Sequence, residues 1–136
     1  MAMLRKDFQD IAVVRAREAE ALLAAGLFDG AYYLAGLAVE CALKACIAKA
    51  TRQYEFPDLN RTRAVYTHRL DDLLKEAGLR ETMATANLQI KLAWGKVSAW
   101  QIESRYRSGI LADDAAELVR AVADGQGILV WLTQFW

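Results

Sequence analysis

The stretch Tyr32–Ile47, YYLAGLAVECALKACI, is apolar on two opposite sides of a helix. At about 100° per residue, Leu34, Leu37, Ala38, Cys41, Ala45 and Ala48 share one face, and Tyr32, Val39, Leu43 and Cys46 nearly the opposite one. A helix apolar on two sides is central to a bundle, or is sandwiched between a bundle and a second chain. The narrow stripe left over carries Tyr33, Glu40 and Lys44. Glu40 precedes Lys44 by four residues, the favourable order for a helical ion pair. Ala31, Ala35, Gly36, Ala38 and Ala42 let neighbouring helices come close. The segment therefore predicts a central helix over about 31–50 with a buried or interfacial ion pair.

The remainder of the chain repeats the helical period. Leu4, Phe8, Ile11, Ala12, Ala19, Leu22 and Leu23 fall on one face of a helix over 4–25. Arg15 falls on that face too. Either its stem packs while its head reaches water, or it partners a carboxylate such as Glu40. Gly26 is a left-handed helix stop, and Asp29 is placed to cap the next helix. Residues 51–67 have no clean period and hold the only proline, Pro57. They read as a long loop, locally basic through Arg52, Arg61, Arg63 and nearby Arg69. Thr67 is placed to cap a short third helix, 68–77, ended by Gly78. A fourth helix spans about 80–97, and AWQIESRYRSG is a connector. A last helix, 111–135, carries a seam at 111, 115, 118, 122, 125, 129, 132 and 136. Gly125 lies on that seam, and the Gly125–Gly127 pair lies inside the helical pattern. The fold class is all-α: one domain over 1–136, an up-down bundle of about five helices with a short third one.

Length and charge narrow the function classes. A chain of 136 residues suits one domain. Seventeen Lys and Arg balance seventeen Asp and Glu, so any basic patch is local. Hydrophobic residues make up 55%, which favours an oligomer that hides part of the surface. Cys41 and Cys46, five apart on one helix, point about 140° from each other and read as small core residues of a reduced protein. Glu40, Lys44 and Lys49 interrupt the best candidate for a membrane span. With no secretory signal at the polar N-terminus, the expectation is a cytoplasmic protein without a membrane segment. One histidine and two cysteines on one helix make a zinc site of usual type a poor fit. No phosphate-cradling glycine motif and no nucleophile elbow are present. No metal and no cofactor are expected.

The chemistry that remains is polar residues beside apolar ground. Arg63 precedes His68, the single histidine, with four residues between, and Arg61 with six. Such a pair suits one phosphate: the arginine stabilises a pentavalent transition state and the histidine moves the 2′-hydroxyl proton. The bland reading is a capping or packing histidine at a helix start. A second feature is ESRY, 103–106. Arg105 and Tyr106 either form a surface pair or turn inward to meet Glu40 or a ligand phosphate.

These blocks together resemble the HEPN family (higher eukaryotes and prokaryotes nucleotide-binding). The resemblance spans nearly the whole chain, through ALLAAGLFDGAYYLAGLAVECALKACIAKA, then THRLDDLLKEAG, then ESRY before a long final helix. It implies a compact bundle of about five helices that pairs as a homodimer. It further implies pairing with a small nucleotidyltransferase-like protein, as in toxin–antitoxin systems, and a nucleotide or RNA ligand. Active members use an Arg, four to six residues, then His as a metal-independent RNase, a spacing that Arg63 and His68 match. Active members carry that motif later, around the third-to-fourth helix junction, and relatives often have proline where this chain has Arg107. Glu40, Lys44, Arg105 and Tyr106 are the candidate ligand-binding positions, and Arg63 with His68 the candidate catalytic pair.

Overall fold

The structure is a computed structural model, which describes residues 3–50 and 66–136. Residues 51–65 of the segment predicted as a loop, with Arg52, Arg61 and Arg63, lie outside the described residues. The described residues form α1 (Arg5–Ala24), α2 (Phe28–Ala50), α3 (Leu70–Glu76), α4 (Arg80–Ala84) and α5 (Leu88–Val97). A 3-10 segment (Ile102–Tyr106), α6 (Ala112–Ala123) and α7 (Ile128–Thr133) follow. No strand occurs among them. The molecule is an all-α helical bundle.

The centre of the bundle is α2. It meets α1, α3, the 3-10 segment, α6 and α7, and Ala31, Ala35, Val39, Ala42, Leu43 and Ala45 are fully buried on it. Its most extensive neighbour is α1, whose Ala12, Ala16 and Ala19 are buried. Alanines on both helices explain the close seam, because neither projects a side chain that would hold the backbones apart. The period of α1 was read correctly at Ala12 and Ala19, but Leu4 is exposed. Among the described residues one helix, α2, is long and apolar enough to cross a bilayer by length and composition. Its charged residues do not disqualify it on those grounds, contrary to the sequence expectation. In this fold 67% of its most apolar window is buried against the other helices.

The corners follow from two glycines. Gly26 and Gly78 have φ of 78° and 72°. Gly26 N–H donates to Leu23 O and Leu27 N–H to Leu22 O; Gly78 N–H donates to Lys75 O and Leu79 N–H to Leu74 O. Each is a Schellman stop. Asp29, by contrast, does not cap α2, which starts one residue earlier. Its carboxylate accepts from Gly109 N–H at 3.2 Å and Ile110 N–H at 2.8 Å, so it ties the connector to the start of the central helix.

Two predicted long helices are broken. The 80–97 helix divides at Thr85–Asn87: Thr85 Oγ1 donates to Glu81 O, and Asn87 Oδ1 accepts from Ile90 N–H at 2.9 Å and starts α5. The 111–135 helix divides at 124–127, so Gly125 lies in the break and not on a continuous seam. A Cβ at Gly127 would sit 2.8 Å from the carbonyl oxygens of Ala121 and Val122, so the break requires glycine there. Of the predicted seam, Ala115, Leu118, Val122 and Leu132 are buried, whereas Leu111, just ahead of α6, is exposed.

Trp100 is 2% exposed and lies flat on Gly36 of α2, where a Cβ would overlap the indole ring. Tyr33 stacks on the same indole, centroids 6.2 Å apart. Gly36→Ala is expected to destabilise the fold by about 1–3 kcal/mol through overpacking. Gly95→Ala, in open space within α5, is expected to stabilise it by about 0.5–1 kcal/mol. Urea denaturation of the two variants beside the parent chain checks both signs.

Candidate functional site

Glu40 is 4% exposed in the middle of α2. An ionised carboxylate there must be partnered, because burial strips its water. Its Oε2 lies 3.4 Å from Lys44 Nζ, and its Oε1 is 2.9 Å from His68 Nδ1. A carboxylate only accepts, so Nδ1 carries the shared proton and Nε2 is the ring atom left for a ligand. Lys44 is 16% exposed at its side chain and His68 49%. The pair from the apolar helix is thus buried, and it forms a triad with the histidine that follows the unpatterned segment 51–67.

His68 does not lie in the first turn of α3. Thr67 Oγ1 accepts from Arg69 N–H at 3.1 Å and closes a short turn ahead of it, and the helix starts at Leu70. Thr67 therefore shapes the approach to the helix and does not cap it. This extended approach presents His68 to a cavity of about 600 Å³. Thr67, His68, Arg69 and Asp71 form one wall; Ser98, Trp100, Gln101 and Glu103 form the other. A second hollow of about 200 Å³, beside Tyr32, Lys96, Arg107 and Glu117, shares no residue with it. The larger cavity is the candidate site because His68, held by Glu40, lines it.

The predicted residues divide between two places. Glu40, Lys44 and His68 come together. Arg105 and Tyr106 are both exposed, and the Arg105 guanidinium lies 4.7 Å from the Tyr106 ring centroid. They form the surface pair; among the described residues the hydrogen bonds of Glu40 go to Lys44 and His68. Ser104, between them and Glu103, is the buried member of that motif. Arg15 pairs with Glu18 on its own helix and not with Glu40. Arg63 lies outside the described residues. Sequence reasoning missed Gly36 and Trp100 as a matched pair, and it missed Arg69, Asp71, Gln101 and Glu103 as cleft walls. The signal for the floor was present: Tyr33, Gly36, Glu40 and Lys44 follow spacings of three, four and four along one face of α2.

The wall at 98–106 has a further property. Among the described residues, Trp100 Nε1 and Ser104 Oγ are buried polar atoms without a hydrogen-bond partner. Among the described residues no group of three His, Cys, Asp or Glu is arranged to hold a metal ion.

Comparison of the chain with family models, curated proteins and solved structures finds no match.

Two measurements follow from the burial. Removing Lys44 leaves Glu40 with His68 alone among these partners. Lys44→Ala is expected to lower unfolding free energy by about 3 kcal/mol, the lower end for breaking a buried pair, since His68 still donates. Chemical denaturation reads it, and a loss below about 1 kcal/mol would mark the pair as solvated. Burial also raises the Cys41 thiol to about 11 and, more strongly, the Cys46 thiol to about 12; neighbouring Glu40 adds to the first. Both are raised from an ordinary 9.0, so the folded state holds these protons more tightly than the unfolded chain. Their stabilising contribution is complete below pH 9 and is lost as pH rises through 11 and 12. Alkylation at pH 8 is expected to be slow in the native protein and fast in urea.

Proposed function

We propose that this chain is a HEPN-like up-down helical module that binds a nucleotide or an RNA end in the cleft between 67–71 and 98–103. The observation that supports this is the imidazole of His68, which lines the cleft with Nδ1 held by buried Glu40. A histidine packed only for bulk would not need a buried carboxylate to fix its ring orientation. Here the orientation reserves Nε2 for whatever enters the cavity. A volume of about 600 Å³ falls within the range of small-molecule sites.

The module acts as a homodimer and with a nucleotidyltransferase-like partner in a two-component, toxin–antitoxin-like system in the cytoplasm. Support for association is an exposed apolar set, Leu88 and Leu92 on α5 with Val130 on α7. Two buried free thiols suit a reducing compartment.

A second reading is favoured by the same hydrogen bond. In a metal-independent endoribonuclease, His68 Nε2 would take the 2′-hydroxyl proton and the 2′-oxygen would attack phosphorus. The 5′-oxygen would then leave with a proton taken from water, while His68 returns its own to solvent, giving a 2′,3′-cyclic phosphate, with Arg63 on the pentavalent oxygens. RNA cleavage in chelator that both His68→Ala and Arg63→Ala abolish separates this reading from binding alone; intact RNA removes it.

Binding is tested by thermal shift with nucleotides and short single-stranded RNA. Ligand is expected to raise Tm in the parent chain. His68→Gln is expected to weaken binding by about tenfold, the loss of one well-placed hydrogen bond. No shift with any nucleotide or RNA at millimolar concentration would remove the reading, and sedimentation equilibrium on the same samples decides the dimer.

A further inference from the structure

The charge on the cleft walls limits which part of a nucleotide they accept. Among the described lining residues Arg69 is the one permanent cation, against the carboxylates of Asp71 and Glu103. Arg69 is already engaged, with its Nε 3.6 Å from Asp72 Oδ2. Among the described residues neither Asp71 nor Glu103 has an ion-pair partner. A multiply charged phosphate chain between these walls would meet two uncompensated carboxylates and one shared guanidinium, a repulsive arrangement.

The other lining groups suit a neutral, hydroxyl-bearing ligand. Thr67, Ser98 and Gln101 offer neutral hydrogen bonds, and Leu70, Ile102 and Trp100 add apolar surface. A carboxylate is the group that accepts from ribose hydroxyls in dinucleotide sites. The wall with Glu103 is fixed in place, because Trp100 in the same segment is clamped between Tyr33 and Gly36. With that backbone fixed, only the exposed Glu103 side chain is left to order when a hydroxyl arrives.

We propose that this cleft seats the nucleoside part of its ligand, with Glu103 and Asp71 accepting from the ribose hydroxyls, and leaves the phosphates outside the described walls. This rests on the nucleotide reading above and names the portion that reading leaves open.

The test is isothermal titration of the full chain with the four ribonucleosides, their 2′-deoxy forms, and their 5′-mono- and triphosphates. A nucleoside is expected to bind at least as tightly as its own triphosphate, and its 2′-deoxy form about tenfold more weakly, the loss of one charge-assisted hydrogen bond. Glu103→Gln, at an exposed position that leaves the fold intact, is expected to weaken the nucleoside about tenfold and to tighten the triphosphate. Asp71→Asn repeats the measurement on the opposite wall. A triphosphate that binds tenfold tighter than its nucleoside, or that ignores both substitutions, overturns this inference and keeps the nucleotide reading. Equal binding of ribo and deoxy forms overturns the ribose contact. Binding of no nucleoside and no nucleotide overturns both.

Discussion

A carboxylate inside a helix that is covered on nearly every side sets the terms for the rest of this molecule. Glu40 sits four residues from Lys44 in a segment where alanine, valine, leucine and cysteine are otherwise buried. Stripping water from an ionised carboxylate costs several kcal/mol, on the order of what a whole small domain has in reserve. That cost is offset only by donors in place, so Glu40 selects where they must be. Lys44 comes from the same helix, one turn on. His68 comes from 28 residues further along the chain, and its arrival fixes how the approach to α3 lies against α2.

The same face of α2 sets the other wall. Tyr33 and Gly36 precede Glu40 by seven and four residues, which puts all of them in one row on the helix. Gly36 lacks the Cβ that would collide with Trp100, and Tyr33 covers the indole from beside it. The cleft is thus two irregular segments seated on one helix: 67–71 held by the hydrogen bond of His68 to Glu40, 98–103 held by shape. Function placed on connectors that a scaffold fixes is a common solution, because a connector can present backbone and side chains in directions a helix cannot.

Much of the architecture was legible because it rests on local rules. The two-sided apolarity of α2 placed it at the centre, and Gly26 and Gly78 marked corners that only a residue tolerant of positive φ makes cheaply. The two helix breaks were readable in part. Asn87 is a good cap residue, and Gly125 and Gly127 stand two apart, but the apolar seam runs on across both interruptions and masks them. Periodicity reports which side faces the core, not whether the axis is continuous. The partners of Glu40 were harder. Lys44 is given by spacing, whereas Arg15 and Arg105 were open alternatives for the same carboxylate and both found nearer company, Glu18 and Tyr106. Long flexible cations satisfy themselves locally when they can, so which charge reaches a buried acid is a tertiary outcome that no one-dimensional pattern encodes.

Among the described residues, the segment 98–106 holds two buried polar atoms without partners, Trp100 Nε1 and Ser104 Oγ. Each costs about 1–3 kcal/mol relative to a satisfied group. Phenylalanine at 100 would keep an apolar ring in the slot on Gly36 without the orphaned N–H, and alanine at 104 would remove the hydroxyl. In the His68 triad, by contrast, the polar groups of Glu40 have matched donors within 2.9 and 3.4 Å. The 67–71 wall thus rests on a satisfied hydrogen bond, whereas the two unpartnered atoms lie buried in the segment that carries Gln101 and Glu103. Both walls are thus anchored on the central helix, one through the hydrogen bond between His68 and Glu40 and the other through Trp100 on Gly36.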